Sequence, residues 1–420
     1  MTLPETLDVW LDGVLAGHLT KSIRGVEFAY DTDYRSSPST TPLSLSMPKH
    51  RTAHAPATTE PWIENLIPEG DEVRRQWARS FGDVRTDAFT LLSRLGIDAP
   101  GAVQIVPAGV KPEAAGEYRE LSQQEIAGRV RRIKESGVDW IGGEQPRFSL
   151  AGQQAKFALA RVGDAWLEPS GRAPSTHIIK PGIQGIDTPG VSDQATEFVT
   201  MRAAHLLGLP TADVSIEFFE GIPAFVTKRY DRVSTGATVL RVHQEDLCQV
   251  LSVEPGKKYQ ADGGPGIADV GAVLTEWSSD PGVDRARILQ ALLFNLVTAG
   301  IDGHAKNYSL LLRGGEVRLA PLYDLISAHG IWDEDSVHFR AKMAMRYGKE
   351  YRLRGIDGRN MARMASELGM DGEQLVRTFT SLVDQAPGAF ADALGELPDV
   401  PVSDRVRALP ESVEKFGVRL

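Results

Sequence analysis

The feature that most constrains this chain is a polar loop held between an apolar run and a hairpin. Ile288 to Leu296 reads as an apolar helix, and Gly300-Ile-Asp-Gly-His-Ala-Lys-Asn-Tyr-Ser309 follows it. Next come Tyr308-Ser-Leu-Leu-Leu, the turn Arg313-Gly314-Gly315, and Glu316-Val-Arg-Leu-Ala, ending on Tyr323-Asp324. Apolar runs bounded by a glycine turn predict two antiparallel strands. Asp302 and Asn307 stand in the loop, and Asp324 stands at the end of the second hairpin strand.

Upstream, residues 6–30 read as a strand meander. Leu7–Leu11 and Val14–Leu19 flank Asp12-Gly13, a hairpin signal, and Val26–Tyr30 is a third strand. A short strand is expected at Leu43–Ser46. Helices are expected at Glu72–Phe81 and at Ala88–Leu95, the latter between Asp87 as N-cap and Gly96. Val103–Val106 closes this unit, and Pro107–Glu117, rich in Pro, Gly, Ala and Glu, reads as a linker. Ser122 caps a helix that runs to about Ser136. Strands then follow at Arg147–Leu150, Lys156–Val162, Trp166–Pro169 and Thr176–Lys180. A helix from Gly190-Val-Ser192 carries Glu197 and stops at Gly208. Val214–Phe219 and Ala224–Arg229 form a strand pair. From Arg241 the pattern is mostly helical, broken by the loop Pro255–Gly266 and by the hairpin. Tail helices are expected at Asn360–Leu368, Gly372–Ala386 and Val402–Leu409. The expected segmentation is 1–106, 107–145, 146–235 and 236–420.

Composition enters as exclusion. With 420 residues there is length for two domains or lobes. Lys and Arg number 46 against 56 Asp and Glu, a formal net charge of −10, so a role on DNA requires a basic partner. The single cysteine, Cys248, rules out an internal disulfide and suits a reducing cytoplasm. No signal-peptide pattern opens the chain, and the apolar run near Leu289–Val297 is too short to span a bilayer, so a cytoplasmic protein without a membrane role is expected.

The order of parts points to phosphoryl transfer. Asp302 and Asn307 stand five apart, the spacing of the Asp and Asn in the catalytic loop of protein kinases. There the Asp takes the proton of the attacking hydroxyl, and the Asn with a later Asp, here Asp324, holds the magnesium ions. Before them come a strand–glycine turn–strand around Gly152, a strand ending in Lys180, a helix bearing Glu197 and a strand pair. ATP needs a cation beside its phosphates as well as metal. Taken singly, Lys180 reads as readily as an edge lysine before Pro181, and Glu197 as a solvated helix residue. No G-x-G-x-x-G or P-loop pattern is present.

These segments together resemble the HipA family of bacterial toxin kinases. The matching stretches are Phe148-Ser-Leu-Ala-Gly-Gln-Gln-Ala-Lys-Phe-Ala-Leu, His177-Ile-Ile-Lys-Pro, Glu197-Phe-Val-Thr-Met-Arg-Ala-Ala, Thr227-Lys-Arg-Tyr-Asp-Arg, Arg241-Val-His-Gln-Glu-Asp, Asp302-Gly-His-Ala-Lys-Asn-Tyr-Ser and Leu322-Tyr-Asp-Leu-Ile-Ser. The resemblance spans nearly the whole chain. It implies an α+β, two-lobed protein-kinase-like fold, with a β-rich N-terminal lobe and a mostly helical C-terminal lobe, using ATP and Mg²⁺.

By motif position the resemblance makes Asp302 the catalytic base, and Asn307 and Asp324 the metal ligands. Lys180 would contact phosphates, and Ala151, Gly152, Gln153, Gln154 and Lys156 would form the phosphate-side loop. Lys228, Arg229 and Tyr230 would form the hinge beside adenine. Gln244, His304, Lys306, Asn307 and Tyr323 would line the nucleotide. Ser149 matches a serine that family members phosphorylate in themselves, silencing the kinase. Implied partners are a HipB-like helix-turn-helix antitoxin, through which alone the complex meets DNA, and a protein substrate. The implied substrate is an aminoacyl-tRNA synthetase such as glutamyl-tRNA synthetase, whose loss gives growth arrest and persistence. The sequence departs from the family at Gly300, where Asn or Ala is common, and at Lys228, where an acidic residue is frequent. A small-molecule phosphotransferase and a non-catalytic co-repressor remain the alternatives.

Overall fold

The computed structural model describes residues 5–112, 116–136, 152, 154–182, 193–236 and 238–416. The expected strand at Arg147–Leu150, and Ser149, Ala151 and Gln153, lie outside them.

The chain opens on β1 (Thr6–Leu11), β2 (Val14–Ser22) and β3 (Gly25–Tyr30). The turn between β1 and β2 puts Asp12 at φ 53° and Gly13 at φ 77°, the left-handed pair a tight hairpin requires. β4 (Ala53–His54) and β5 (Val103–Pro107) complete a five-stranded sheet of order β4-β3-β2-β1-β5. Ala88–Leu95 is a helix as expected, and the Asp87 carboxylate accepts from Thr90 N. Leu43–Ser46 forms only an isolated bridge, Ser44 to Met47. Its backbone is drawn elsewhere, because Leu45 N donates to the distant Glu245.

β6 (Glu117–Glu120), β7 (Phe157–Val162), β8 (Ala165–Ser170), β9 (His177–Lys180), β10 (Val214–Phe219) and β11 (Ile222–Lys228) build a second sheet of order β10-β11-β9-β7-β8-β6. β6 begins at the end of the segment expected to be linker. All four of its residues are exposed, so no apolar alternation marks it. One core joins the two sheets: Leu7, Phe28, Trp62 and Ile105 from the first part share a cluster with Phe157, Ile179 and Val226.

β12 (Arg232–Ser234) and β13 (Val239–Arg241) form a small ribbon, after which β14 (His243–Asp246) pairs with the expected hairpin. That hairpin is β15 (Ser309–Arg313) and β16 (Glu316–Leu319), in a sheet of order β14-β15-β16. The rest is mostly helical. Pro281–Val297 starts on the Asp280 cap and buries Ile288 to Val297, apart from Gln290. Its Phe294 stacks on Phe390 of the helix Gly372–Gly395 at 6.4 Å. That helix outruns its expected end at Ala386 and passes through Pro387. Its far half is held by buried Ala389, Phe390 and Ala393, and that burial outweighs a cost of about 3 kcal/mol for an interior proline. A strand pair, Lys342–Tyr347 and Glu350–Arg352, also interrupts this region. The expected helix Val402–Leu409 resolves into Asp404–Arg407 and Leu409–Phe416. The fold is α+β and two-lobed, with sheets in the N-terminal part and helices in the C-terminal part. Among the described residues no helix is long and apolar enough to cross a membrane.

Candidate active site

Between the lobes lies a cavity of about 560 Å³, and every described member of the expected site lines it. Its wall is built from the ends of elements. β9 ends on Lys180, whose ammonium is buried and donates to Glu197 Oε1 at 2.7 Å and to Asp324 Oδ1 at 2.5 Å. Glu197 comes from the helix Asp193–Leu206, which is buried along most of its length. Lys180 is therefore not an edge lysine, and Glu197 is not a solvated one. Burial works against the lysine charge, but Asp324 and Glu197 outweigh it and raise its pKa. Burial pushes Glu197 up to about 7 against the pull of Lys180. Burial also opposes ionisation of Asp324, yet Lys180 and Lys156 hold it well below the usual carboxylate range.

Lys156 faces the same charges from the other side. Burial, then repulsion by Lys180, brings its pKa down to about 8. Gly152 sits at φ 109°, and a Cβ there would stand 2.7 Å from Lys156 Nζ. The glycine thus serves both the turn and the lysine's approach.

The catalytic-loop segment is folded around Asn295. Gly300 N donates to Asn295 O at 2.7 Å, and Asn295 Nδ2 reaches Tyr308 OH at 3.1 Å. Gly300 is not the left-handed residue; Ala299 is, at φ 54°. A Cβ on Gly300 would lie 2.6 Å from Asn295 Oδ1, so glycine is required by close approach rather than by backbone angle. Asn307 Nδ2 donates to Asp302 O at 2.9 Å, which leaves the Asn307 carbonyl oxygen for another partner. The Asp302 side chain is 44% exposed to the cavity mouth, and the Tyr259 hydroxyl donates to its Oδ1 at 2.5 Å. His304 stands 4.0 Å from the same oxygen, and burial lowers its pKa. Asp324 precedes the helical turn Ala328–Gly330, which Ser327 caps, and is itself held at φ 59°. Aspartate enters that conformation more readily than most side chains.

Along the opposite wall, the Tyr230 and Tyr323 rings stack at 5.7 Å. Tyr230 OH hydrogen-bonds Gln244, and Tyr323 OH donates to Lys306 O at 2.8 Å. Two expected nucleotide contacts have their charges committed elsewhere. Lys306 donates to Asn65 O, Asn65 Oδ1 and Asp246 Oδ2 at 3.0, 2.7 and 2.9 Å. The Arg229 guanidinium is buried against Asp231, Ser175 and Ala99 O. Lys228 points outward, 3.6 Å from Asp213. The two hinge cations are therefore engaged by protein partners.

Asn65, Glu69, Pro100, Lys258 and Tyr259 also line the cavity and were not expected from the sequence. Lys258-Tyr259 lies in the Pro/Gly loop 255–266, where a lysine and an aromatic between turn residues were the available signal.

Comparisons with known proteins show the family of the chain. The HipA N-terminal domain matches residues 7–106, and the HipA-like C-terminal domain matches residues 148–390. A protein described as a kinase, Y4mE of Sinorhizobium fredii, is 35% identical over 97% of each chain. The serine/threonine-protein kinase toxin HipA of Shewanella oneidensis is 29% identical over 94% of this chain and 90% of its own. The structure of HipA solved with HipB and operator DNA from Shewanella oneidensis MR-1 superposes with a TM-score of 0.82 at 26% identity, covering 97% of this chain and 96% of that one. The chain belongs to the HipA family of serine/threonine-protein kinase toxins.

Proposed function

We propose that this kinase transfers the γ-phosphoryl group of ATP to a serine or threonine hydroxyl with Asp302 as the base. The observation that carries the reading is the Lys180 ammonium clasped between Glu197 and Asp324 on the wall that also holds Asp302 and Asn307. The acceptor oxygen attacks the γ-phosphorus, its proton passes to the Asp302 carboxylate, and the bond to the bridging oxygen breaks to release ADP. Lys180 meets the α and β phosphates, Lys156 and the Gly152 turn stand on the phosphate side, and the hinge backbone with Tyr230 and Tyr323 flanks adenine. The Asn307 carbonyl oxygen and Asp324 are hard oxygen donors of the kind that hold Mg²⁺ together with phosphate. Bound there, Mg²⁺ would neutralise charge developing on the transferred group.

The solved relative carries HipB and DNA, which supports a HipB-like antitoxin as partner. The net charge of −10 agrees with DNA contact only through that partner. By family resemblance the substrate is an aminoacyl-tRNA synthetase, glutamyl-tRNA synthetase first, and its modification starves translation and gives growth arrest and persistence. Ser149 is the self-modification site. Phosphate there adds nearly two negative charges three residues before Gly152 in the sequence and would repel ATP.

Mass spectrometry of the protein, and of a lysate treated with it, after incubation with ATP and Mg²⁺ tests this. Phosphate should appear on Ser149 and on one translation protein, and Asp302→Asn should lower transfer by about 10²–10⁴-fold. Native transfer by Asp302→Asn would remove Asp302 from its role. ATP turnover driven by a metabolite, with no protein acceptor, would redirect the reading to a small-molecule phosphotransferase.

A further inference from the structure

We infer that Tyr259 is a positioning residue for Asp302 and that Glu69, from the N-terminal unit, holds Tyr259 in place. The inference rests on the reading of Asp302 as the base. Tyr259 OH takes one carboxylate oxygen, Oδ1, at 2.5 Å. The other oxygen has no partner among the described residues and is left for an acceptor hydroxyl. A carboxylate free to rotate would offer either oxygen in many directions; one short hydrogen bond fixes which is offered and where. The tyrosine ring is itself fixed, standing edge-on to His304 at 4.9 Å and 87°. Burial and the bond to Asp302 raise the hydroxyl's pKa, so it stays a donor.

The loop carrying Tyr259 is anchored from several sides. Gly264 N donates to Tyr259 O at 3.0 Å, and a Cβ on Gly264 would lie 1.9 Å from Lys257 O, so the loop's path needs that glycine. Arg346 N donates to Gln260 Oε1 at 2.6 Å. The neighbouring Lys258 forms a nearly buried ion pair with Glu69 Oε2 at 2.7 Å. Such a pair adds little net stability, because desolvation offsets its attraction, so fixing position is the use that accounts for it here. The same short N-terminal segment touches the other catalytic parts. Glu69 N donates to Gly152 O at 3.2 Å, and Asn65 accepts two bonds from Lys306, beside Asn307. Residues 65–69 thus join the phosphate-side turn, the catalytic loop and the Tyr259 loop into one assembly.

The test uses the full chain, Mg²⁺ and ATP, reading kcat for ADP formation, KM for ATP and the melting temperature. Tyr259→Phe removes one oxygen atom and should lower kcat about 10- to 100-fold while KM for ATP changes less than about twofold. Glu69→Gln should act in the same direction more weakly. Combined with Asp302→Asn, Tyr259→Phe should cost nothing further, because the group it positions is gone. A native kcat in Tyr259→Phe overturns the inference. So does an equal loss in the Asp302→Asn background, or a lowered melting temperature that accounts for the loss. If Asp302→Asn alone keeps the native rate, the assignment of the base fails first, and the two failures are told apart. Should Glu69→Gln unfold the protein, the Tyr259→Phe result still decides.

Discussion

Two buried charge clusters lie on either side of the hinge, and they are built on opposite plans. In the first, Asp98 and Asp231 meet Arg229, Arg232 and Arg241, and the carboxylates also accept from Ser175 N and Gly101 N. These charges are turned on one another. In the second, Lys180, Glu197 and Asp324 form a clasp, but Lys156 stands close by and Asp324 remains 44% exposed to the cavity. The first cluster ties residues 98–101 to the start of the C-terminal lobe and sets a geometry. The second leaves Lys156, among the described residues, without a carboxylate of its own and an Asp324 oxygen open to the cavity, where phosphates and metal would sit. Arg229 and Asp231 also border the cavity, so neither burial nor position marks a site by itself; charge left accessible to a ligand does.

That contrast makes predictions that can break it. The largest effect belongs to the closed cluster. Asp231→Asn removes one of two carboxylates from three arginines and leaves Arg229 and Arg232 short of a partner, so denaturation should show a loss of about 3–5 kcal/mol. Arg232, already brought down to about 10 by burial and by Arg229, has little margin for a further loss of compensation. Stability near native, with activity lost, would mean that the closed cluster is part of the chemistry. Next comes Lys180→Met in the open cluster. Transfer should fall at least about 100-fold, or roughly 2.7 kcal/mol, with little change in melting temperature. The Glu197–Asp324 repulsion left behind is relieved by protonating Glu197, whose pKa already stands at about 7. A melting temperature that collapsed with the activity would instead make Lys180 a structural cation.

The open cluster was far more legible in the sequence than its surroundings. Asp302, Asn307 and Asp324 lie within one loop and hairpin, so spacing carried their relation. Lys180 and Glu197 followed from the order of strand and helix. Asn65, Glu69 and Tyr259 were not legible: Glu69 and Lys258 are 189 residues apart, and nothing local in either announces the other. Lys306 and Arg229 show the converse failure. Their positions in motifs were plain, but a long side chain points wherever its partners lie, and those partners, Asn65 and Asp98, come from the N-terminal unit. The same cause hides β6, whose exposed residues carry no period, and carries the helix past Pro387.

A third buried acidic group sharpens the comparison because no cation pairs with it among the described residues. Glu245 on β14 is buried and accepts from Ser44 Oγ at 2.6 Å and Leu45 N at 2.8 Å, binding the N-terminal unit to the lower lobe. Burial pushes its pKa up to about 8, beyond what the two hydrogen bonds recover. In the unfolded chain it titrates near its ordinary value of 4.5. Between those values the folded state holds a proton that the unfolded state has released. This group's contribution to stability is therefore fully present below about pH 4.5 and is lost as pH rises through about 8, by at most about 1.4 kcal/mol per pH unit. Glu245→Gln keeps the shape and cannot ionise, so it should flatten that part of the stability profile and exceed the native protein above pH 7. Thermal melts of both proteins from pH 5 to 8.5 measure it. Parallel profiles would show that Glu245 is charged in the folded state, and that two hydrogen bonds alone can hold a buried carboxylate ionised.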